Sequence, residues 1–347
     1  MNFKTSGILL LTLIGLQPAK AQTATTPFEL PHISRKVAQS NYSTIRLLDA
    51  RPDTTALGMV LKGAFNKPTR LVAVPSLQVQ LSRLLGEVAP PDAGPGELLL
   101  HLRHGVFSEV TGMSETGTAV LFADLYTVKG DSLYRLGRMD TTVAIYNSMA
   151  DVTNRLLNNA SDAIVDFITG NLSKTPETAL FAITQTDFGK LDSIEKAQLP
   201  VYTVDTLRDG TYKTYASFAQ QIPDAGVQGK WKGDQLTKVK VINLQTGSVS
   251  FLNRPATYAV VVDGKPAIVT NTGTYPLLKK DNAYFYRGTI QSAPNTGVVV
   301  ASSVAFGLIG GLIAASATSK EGLYEFELSH LSGAPVMLRQ ITAKDQL

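Results

Sequence analysis

Residues Gly297–Ala317, GVVVASSVAFGLIGGLIAASA, form an apolar run with no charged residue, bounded by Arg287 and Lys320. The run is about as long as a bilayer-spanning helix, which needs roughly 20 apolar residues. Small residues recur in it at every fourth position, namely Ser303, Gly307, Gly311 and Ala315. A helix would carry these residues as one smooth stripe that a second helix can approach closely. The sequence therefore predicts a glycine-zipper-like apolar helix near the C-terminus, and the rest of the fold has to accommodate it.

Two interpretations of residues 297–317 stay open. The length and the lack of charge favour membrane contact, whereas the glycines and serines make the run weakly hydrophobic by insertion scales. A single span would also separate Leu323–Ile341 from the strands that precede the run. The alternative is a helix buried within the protein, with its small-residue face packed against the domain or against a second copy.

The first 21 residues have the pattern of a signal peptide. Lys4 precedes an apolar run from Ile8 to Leu16, and Ala19-Lys20-Ala21 matches the small-x-small site that signal peptidase cuts. We expect cleavage before Gln22 and export to the periplasm or cell envelope. Cleavage removes two lysines and no acid, so the formal net charge falls from +4 to +2. A charge this small predicts no nucleic-acid partner.

The 347-residue chain contains no cysteine. Disulfides, thiol catalysis and thiolate metal sites are therefore excluded, and so is the lipid-attachment cysteine of bacterial lipoproteins. Membrane attachment would have to come from residues 297–317 or from a partner. No sequence pattern predicts a cofactor or a metal ion.

The length of the chain predicts two domains. Five segments are expected: a signal peptide at 1–21, a lead-in at 22–44, an N-terminal α+β domain at 45–172, a connection at 173–199 and a β-rich C-terminal domain at 200–347. The expected fold class is α+β, with antiparallel sheets in both domains and the apolar helix at 297–317.

The first domain is expected to combine two helices with an antiparallel meander. Leucines at helical spacing predict a helix that Pro75-Ser76 opens, and a second helix runs from the N-cap Asp151 to Gly170. Gly170 is expected in the left-handed conformation that often ends a helix. Three strands are predicted between the helices: Glu97–Phe107, Thr118–Val128 and Ser132–Tyr146.

The second domain is expected to consist mainly of short strands. They are predicted at Leu236–Leu244, Thr257–Val262, Lys265–Thr270, Tyr284–Ile290, Leu323–Leu328 and Val336–Ile341. Asp263-Gly264 can supply the positive φ angles of a type I′ turn and therefore predicts a hairpin. Thr211–Gln221 is predicted to form a single helix before Pro223.

No catalytic motif is found in the sequence. His101 and His104 are three apart on a predicted strand, so we expect them on opposite faces, unable to share a metal ion. Ser114 lies in Gly-Met-Ser-Glu-Thr-Gly, whose glycine spacing is one residue too long for a nucleophile elbow. Ser193 and Lys196 fit the Ser-x-x-Lys spacing of penicillin-recognising enzymes, but the companion motifs of those enzymes are absent from the sequence.

Two further stretches have simple structural interpretations. Gly226–Lys230 ends in glycine-lysine but is too short for a phosphate-binding loop, so we expect a surface turn that carries Trp231. An aromatic and basic patch for glycan or nucleic acid could form from Tyr275, Tyr284 and Tyr286 together with Lys279, Lys280 and Arg287. An ordinary strand with one buried face is the favoured interpretation.

The second half of the chain resembles a domain of exported, functionally uncharacterised proteins of Gram-negative bacteria. The resemblance lies in YKTYASF at 212–218, YAVVVDGKPAIV at 258–269 and TYPLLKKDNAYFYRGTI at 274–290. The first half is similar in element order to periplasmic auxiliary components of transporters and of outer-membrane secretion assemblies. Such components usually carry a lipid on a cysteine, which this chain lacks. Both resemblances imply an envelope protein with no known catalytic motif.

We therefore expect an exported two-domain envelope protein that is not an enzyme. It would act by binding or assembly, contacting a membrane, a second copy or another envelope protein, with 297–317 as the element that inserts or self-associates. The alternative is a periplasmic or surface hydrolase whose hydroxyl and carboxylate groups are scattered in sequence. Three or more titratable side chains that converge in one cleft would favour the hydrolase.

Overall fold

The computed structural model describes residues 24–63, 66–111, 115–146, 151–179, 181–270, 272–290 and 322–342. These ranges contain nineteen strands and six α-helices, and only two of the helices are longer than six residues. The described chain is thus mostly β-structure, and the expected α+β class is wrong. The reason lies in the second half, where β-branched and aromatic residues occupy strands and leave only short helical turns between them.

The predicted apolar helix at 297–317 lies outside the described residues, and so does the predicted signal peptide. The same holds for the four predicted helix-packing residues, Ser303, Gly307, Gly311 and Ala315. No helix within the described ranges is long and apolar enough to cross a membrane. The longest one, Val152–Thr169, is amphipathic and carries Arg155, Asp162 and Asp166. The expectation of a transmembrane helix is corrected on this finding.

The first eight strands form one large sheet. They are β1 (Thr25–Phe28), β2 (Tyr42–Asp49), β3 (Gly58–Lys62), β4 (Lys67–Ala73), β5 (Gly96–Thr111), β6 (Glu115–Lys129), β7 (Ser132–Ile145) and β8 (Ala182–Thr184). Their order is β1-β4-β3-β5-β6-β7-β8, and β2 pairs with β5 beside this path. The antiparallel pairing of β5, β6 and β7 confirms the predicted meander. β1 with β4, β2 with β5 and β3 with β5 pair in parallel, so the sheet is mixed and not purely antiparallel.

Two helices cover one face of this sheet, α1 (Leu77–Val88) and α2 (Val152–Thr169). Both were predicted, and the side chain of Asp151 accepts a hydrogen bond from the Asn154 amide at 3.0 Å, as an N-cap does. Gly170 has φ of −66°, so the expected left-handed residue is wrong. Its amide donates to the Asp166 carbonyl and continues the helical pattern. α1 packs against β2, α2 packs against β6 and β7, and the apolar faces of both helices lie in the main core.

The opposite face of the large sheet is covered by the chain that follows α2. This chain contains β8 and three short helices: α3 (Gln185–Phe188), α4 (Leu191–Lys196) and α5 (Pro200–Thr203). Leu99, Tyr126 and Leu133 of the sheet are buried against Leu191 and its neighbours. The segment at 173–199 therefore forms a second covering layer. The division of the chain into two domains stays a prediction.

The rest of the described chain forms three small sheets and one further helix, α6 (Tyr215–Ala219). The strands are β9 (Gly210–Tyr212), β10 (Gly226–Lys232), β11 (Gln235–Ile242), β12 (Val249–Phe251), β13 (Ala259–Val262), β14 (Lys265–Val269), β15 (Thr274–Pro276), β16 (Leu278–Lys280), β17 (Ala283–Ile290), β18 (Gly322–Leu328) and β19 (Pro335–Gln340). The strand orders are β10-β11-β12, β15-β14-β13-β9 and β16-β17-β18-β19. Asp263 and Gly264 have φ of 54° and 69°, which confirms the predicted hairpin. The two strands predicted after the apolar run, β18 and β19, join β17, which precedes the run.

The predicted helix at Thr211–Gln221 is wrong. Its first residues belong to β9, in which Tyr212 pairs with Ala259 of β13. The helix begins only after Thr214, whose hydroxyl accepts from the Ser217 amide at 3.1 Å. A threonine and a tyrosine favour a strand when a neighbouring strand offers a partner, and this pairing outweighs the local helical pattern.

Candidate functional site

Two β-bulges bring charged side chains together on the face of the large sheet that is turned away from α1 and α2. The pairing of β5 with β6 has its extra residue at Arg103, and the pairing of β6 with β7 has one at Leu136. A bulge changes the face to which the following side chains point. Arg138 consequently pairs directly with Asp124, and Arg103 reaches the same carboxylate.

We call the resulting group the charge cluster. It contains three guanidiniums, three carboxylates and one imidazole, from Arg103, Arg135, Arg138, Asp124, Asp192, Glu195 and His330. The strands β5, β6 and β7 supply four of these side chains, and α4 supplies two carboxylates. His330 lies in the turn between β18 and β19. The cluster therefore combines residues from the first and last parts of the described chain.

Asp124 is the innermost member, with 0% of its surface exposed. Arg138 binds it with two nitrogens, Nε at 2.7 Å from Oδ1 and Nη2 at 3.0 Å from Oδ2. Nη1 of Arg103 lies 3.7 Å from Oδ2, and Nη1 of Arg135 lies 3.6 Å from Oδ1. Paired donors of this kind fix the orientation of a guanidinium as well as neutralise the carboxylate.

Glu195 links the remaining members. Its Oε1 accepts from Nη2 of Arg138 at 2.5 Å, and its Oε2 accepts from Nη1 of Arg103 at 2.7 Å. Nε2 of His330 lies 3.1 Å from Oε2. Burial opposes ionisation, but the hydrogen bonds from His330 and Arg103 and the charge of Arg103 outweigh it and hold the pKa of Glu195 well below its usual range. Asp192 contacts Arg103 from the outer side, and 68% of its side chain is exposed.

The bulge at Arg103 overturns the prediction that His101 and His104 point to opposite faces. His101 pairs with Asp124 and His104 with Phe122, two residues apart on β6, so both rings lie on the side of the charge cluster. Burial, and next the charge of Arg103, lowers the pKa of each imidazole to about 4. Both histidines are therefore neutral at neutral pH.

Asp192, Glu195 and His330 each place one ligand atom within 4.8 Å of the others, a spacing that a metal ion could bridge. The contacting oxygens are already engaged by Arg103 and Arg138. Three guanidiniums balance three carboxylates, so a divalent cation would add two positive charges to a largely buried group that is already neutral. The arrangement fits an ion-pair cluster better than a metal centre.

The convergence of titratable groups is the feature that a hydrolase would need, so the contacts of His330 matter. Within the described residues, the hydrogen bonds of its ring go to Glu195 and Arg103. A serine-histidine-acid mechanism requires the imidazole to bond a hydroxyl on one side and an acid on the other. The cluster thus joins acids and bases to one another and presents no activated nucleophile.

The β18–β19 turn is held from two directions. His330 joins it to the charge cluster through Arg103 and Glu195, and two tyrosines bind its backbone. The backbone oxygen of His330 accepts from the Tyr215 hydroxyl at 2.7 Å, and that of Gly333 accepts from the Tyr258 hydroxyl at 2.7 Å. Gly333 has φ of +70°, and a Cβ at this position would lie 2.2 Å from the ring of Tyr215. Only glycine satisfies both conditions without strain.

A second feature is the solvent side of the β10–β12 sheet, which we call the outer face. Strand pairing sets six residues side by side on it: Gln228, Lys240, Phe251, Gly226, Ile242 and Val249. Leu244 joins them, because a Cβ on Gly226 would touch it at 3.5 Å. Large apolar side chains stand in solvent here, since Phe251 is 86% exposed, Leu244 66% and Val249 57%.

The surroundings of the outer face are basic. Residues 226–256 contain five cations and one acid: Lys230, Lys232, Lys238, Lys240, Arg254 and Asp234. All six side chains are exposed. Five positive charges less one negative charge give +4, which equals the formal charge of the whole chain. The remaining residues contain 27 cations and 27 acids and are neutral in sum, so this segment accounts for the net positive charge of the sequence.

A groove of about 530 Å³ opens beside Phe251. Its lining combines the cations Lys238 and Arg254 with Pro255 and with three apolar residues of the inner side, Leu236, Val239 and Leu252, so the groove lies at the edge where the outer face meets the inner side. The expected surface turn at Gly226–Lys230 is wrong, because these residues form β10. Trp231 lies on the inner side, where its Nε1 donates to the Val262 carbonyl at 3.0 Å. The inner side of the β10–β12 sheet thus packs against Val260 and Val262 of β13. The outer face is turned away from this contact.

The remaining candidate residues from the sequence belong to neither the charge cluster nor the outer face. Tyr284 and Tyr286 are buried in the aromatic core of the second half, which confirms the favoured interpretation of an ordinary strand with one buried face. Ser193 and Lys196 lie on α4 next to the charge cluster without belonging to it. Ser114 lies outside the described residues.

The sequence alone marks no member of the charge cluster as functional. The available signal was the presence of charged residues inside otherwise apolar strands, Arg103 in β5 and Asp124 in β6. Charged side chains are rarely buried unless they are paired, so such positions predict partners elsewhere in the chain. The identity of those partners could not be read from the sequence.

Comparison with protein-family models finds no match, and no curated protein matches the chain. Among solved structures, the chain is similar to a Xanthomonas campestris protein of family DUF330, with 14% identity and a TM-score of 0.27, over 42% of this chain and 97% of that one. A crystal structure of an uncharacterised protein is similar at 14% identity and a TM-score of 0.25, over 44% of this chain and 100% of that one. TM-scores this low do not establish a common fold.

Proposed function

We propose that this chain is an exported protein of the Gram-negative cell envelope that acts by binding or assembly and not by catalysis. The observation that carries the proposal is the outer face of the β10–β12 sheet, where Phe251, Leu244 and Val249 stand in solvent. Large exposed apolar groups that lie together mark interaction sites on folded domains. The signal-peptide pattern at 1–21 supports the proposed location.

The charge cluster supports a structural role for the titratable groups. Its carboxylates and guanidiniums neutralise one another, and His330 ties the last hairpin to the large sheet. Buried charges retained in this way can specify one arrangement of the parts they join. A fixed arrangement suits a protein that presents a binding surface.

The element order of the first half is similar to that of periplasmic auxiliary components of transporters and secretion assemblies. This similarity supports an envelope component as the partner. The small net charge expected after cleavage, +2, gives no reason to expect nucleic acid.

A periplasmic hydrolase is the second candidate, and one observation favours it. Asp192 is a carboxylate of the charge cluster with substantial access to solvent. If the cluster were catalytic, this side chain would be the one to meet a substrate. Asp192→Asn separates the two candidates, because an exposed side chain can be replaced without unfolding the protein.

The test uses the full chain expressed in a Gram-negative host. We expect mature protein that begins at Gln22 in the periplasmic or envelope fraction, identified by N-terminal sequencing. A photo-crosslinking residue at Phe251 should capture an envelope component. The same residue at Ile222, which is also exposed but lies off the outer face, should not.

Retention of Met1 in folded cytosolic protein, or identical crosslinking from the two positions, would refute the proposal. The hydrolase candidate is tested with the purified protein on a panel of ester, amide and glycoside substrates. Hydrolysis that Asp192→Asn abolishes at unchanged thermal stability would establish catalysis in place of the proposed role.

A further inference from the structure

We propose that the outer face of the β10–β12 sheet docks on an anionic phospholipid surface. Phe251 and Leu244 would enter the headgroup layer while the surrounding cations contact lipid phosphates. This inference rests on the proposed binding role and adds the chemistry of the partner. It concerns peripheral contact through a sheet and requires no membrane-spanning segment.

The arrangement of side chains on the outer face is amphipathic in the way that an interface demands. Phe251 lies directly opposite Lys240 across the β11–β12 pair, and Val249 lies opposite Ile242. Apolar side chains can therefore enter the boundary between headgroups and acyl chains beside a lysine. The long lysine stem allows the ammonium group to remain at the level of the phosphates.

The distribution of charge selects an anionic surface. The segment carries +4, and its single acid, Asp234, lies in the β10–β11 turn. Leu244 lies in the turn at the other end of β11. The apolar end of the sheet is therefore remote from the one negative charge. Basic residues next to an anionic bilayer are attracted to it within about a Debye length of the surface.

The groove beside Phe251 offers a place for a headgroup. Its volume of about 530 Å³ is in the range of small-ligand sites, roughly 300–1,000 Å³. Lys238 and Arg254 supply two cations for a phosphate, and the apolar lining can accept the first methylenes of the lipid. A phosphate that carries hydrocarbon matches this lining better than a free phosphate does.

Other occupants fit the outer face less well. A second copy related by a two-fold axis would bring two surfaces of the same net positive charge together, and like charges repel. Single-stranded nucleic acid stacks successive bases on aromatic rings, and the outer face offers one ring, Phe251, beside the aliphatic Leu244 and Val249. Of the three occupants compared, a lipid surface is the one that uses both the aliphatic and the basic groups.

Two pairs of substitutions test the two components of the face. Phe251→Ser with Leu244→Ser removes the apolar contact and should lower the vesicle partition coefficient on the order of tenfold or more. Lys238→Gln with Arg254→Gln removes the groove cations and should lower it about 25-fold, at about fivefold for each cation near an anionic surface.

The matched controls make the same kinds of substitution at exposed residues that lie away from the outer face. Ile222→Ser alters an apolar side chain of comparable exposure away from the outer face. Lys213→Gln with Lys280→Gln removes two exposed lysines outside residues 226–256. Both controls should bind vesicles like the unmodified protein, and all variants should unfold at the same temperature.

The measurement is vesicle flotation of the protein as isolated from cells. One set of vesicles is phosphatidylcholine alone, and the other is phosphatidylcholine and phosphatidylglycerol in equal parts. We expect binding to the anionic vesicles only, and weaker binding at higher salt concentration. Loss of binding in both outer-face pairs with retention in both control pairs would support the proposal.

Absence of binding to anionic vesicles would overturn the proposal. Binding that survives both outer-face pairs would also overturn it, because the lipid contact would then lie elsewhere in the chain. A dimer in light scattering that Phe251→Ser converts to a monomer would assign the face to a second copy. In the first two cases the binding role stands if the crosslink from position 251 captures an envelope component, and it fails with the lipid proposal if that crosslink is also absent. In the third case the lipid proposal fails and the assembly role stands.

Discussion

Replacement of Asp124 by asparagine tests whether the charge cluster holds the fold together. The carboxylate is fully buried, and Arg138 binds both of its oxygens. Asparagine keeps the shape of the side chain and removes its charge. Three guanidiniums would then share two carboxylates, and one buried positive charge would be left without compensation.

The expected loss is about 3–5 kcal/mol in the free energy of unfolding, which is typical when one partner of a buried ion pair is removed. The lower end is favoured here, because Arg138 keeps its hydrogen bond to Glu195. Urea unfolding near neutral pH measures the change. The double variant Asp124→Asn with Arg138→Gln should lose less than the sum of the two single losses, by about 0.5–3 kcal/mol, because the two residues are in contact.

A matched control is the exposed ion pair between Lys129 and Glu177, whose atoms are 2.9 Å apart. Both side chains are mostly in solvent, where ion pairs contribute little. Glu177→Gln should leave the urea midpoint unchanged. If Asp124→Asn changes the midpoint no more than Glu177→Gln does, the charge cluster contributes nothing to stability and the reasoning from burial is wrong.

Three further predictions concern pH, the last hairpin and the main core. His101 and His104 have pKa values of about 4 in the folded protein, against an ordinary value of 6.5. Between these two pH values the unfolded chain therefore binds more protons than the folded protein does. The free energy of unfolding should fall as the pH is lowered from 6.5 towards 4, by up to about 1.4 kcal/mol per pH unit for each histidine. The double variant with glutamine at both positions should flatten this part of a urea-midpoint profile, and an unchanged profile would show that other groups cause it. Gly333→Ala combines a positive φ with a clash and should cost at least about 1 kcal/mol in thermal unfolding, so a neutral result would mean that the turn packs differently. Gly105→Ala should instead stabilise the protein by about 0.5–1 kcal/mol, because its Cβ would meet neighbours at 3.4 Å or more beside an apolar cavity of about 30 Å³. The control is Gly58→Ala, which should destabilise the protein because Gly58 has φ of +118° and its Cβ would lie 2.0 Å from a carbonyl oxygen. The same sign for both changes in stability would contradict the prediction.

The local elements of the first half could be predicted because their signals are local. Leucines at helical spacing mark α1, Asp151 caps α2, and Lys129-Gly130-Asp131 forms the turn between β6 and β7. The parallel pairs carry no such signal, because β1 with β4 and β2 with β5 join segments that no tight turn connects. The sequence therefore could not predict that the large sheet contains parallel as well as antiparallel pairs.

The charge cluster was out of reach for a different reason. A strict two-residue alternation along β5 places His101 and His104 on opposite faces, and one extra residue at Arg103 reverses the second assignment. Bulges depend on how the two strands fit together and not on one strand alone. The contribution of His330 depends further on a turn that reaches the large sheet from the far end of the described chain.

The position of His330 in the last hairpin has a consequence for how the molecule is made. Synthesis from the N-terminus delivers the large sheet and α4 well before β18 and β19. Until the hairpin arrives, Glu195 lacks its imidazole partner and Tyr215 has no His330 carbonyl to bond. A nascent or truncated chain that ends before β18 would therefore have an open seam between its two halves. The complete chain makes the His330 contacts and the truncated chain does not. A protease should therefore cleave near α4 faster in the truncated chain than in the complete one.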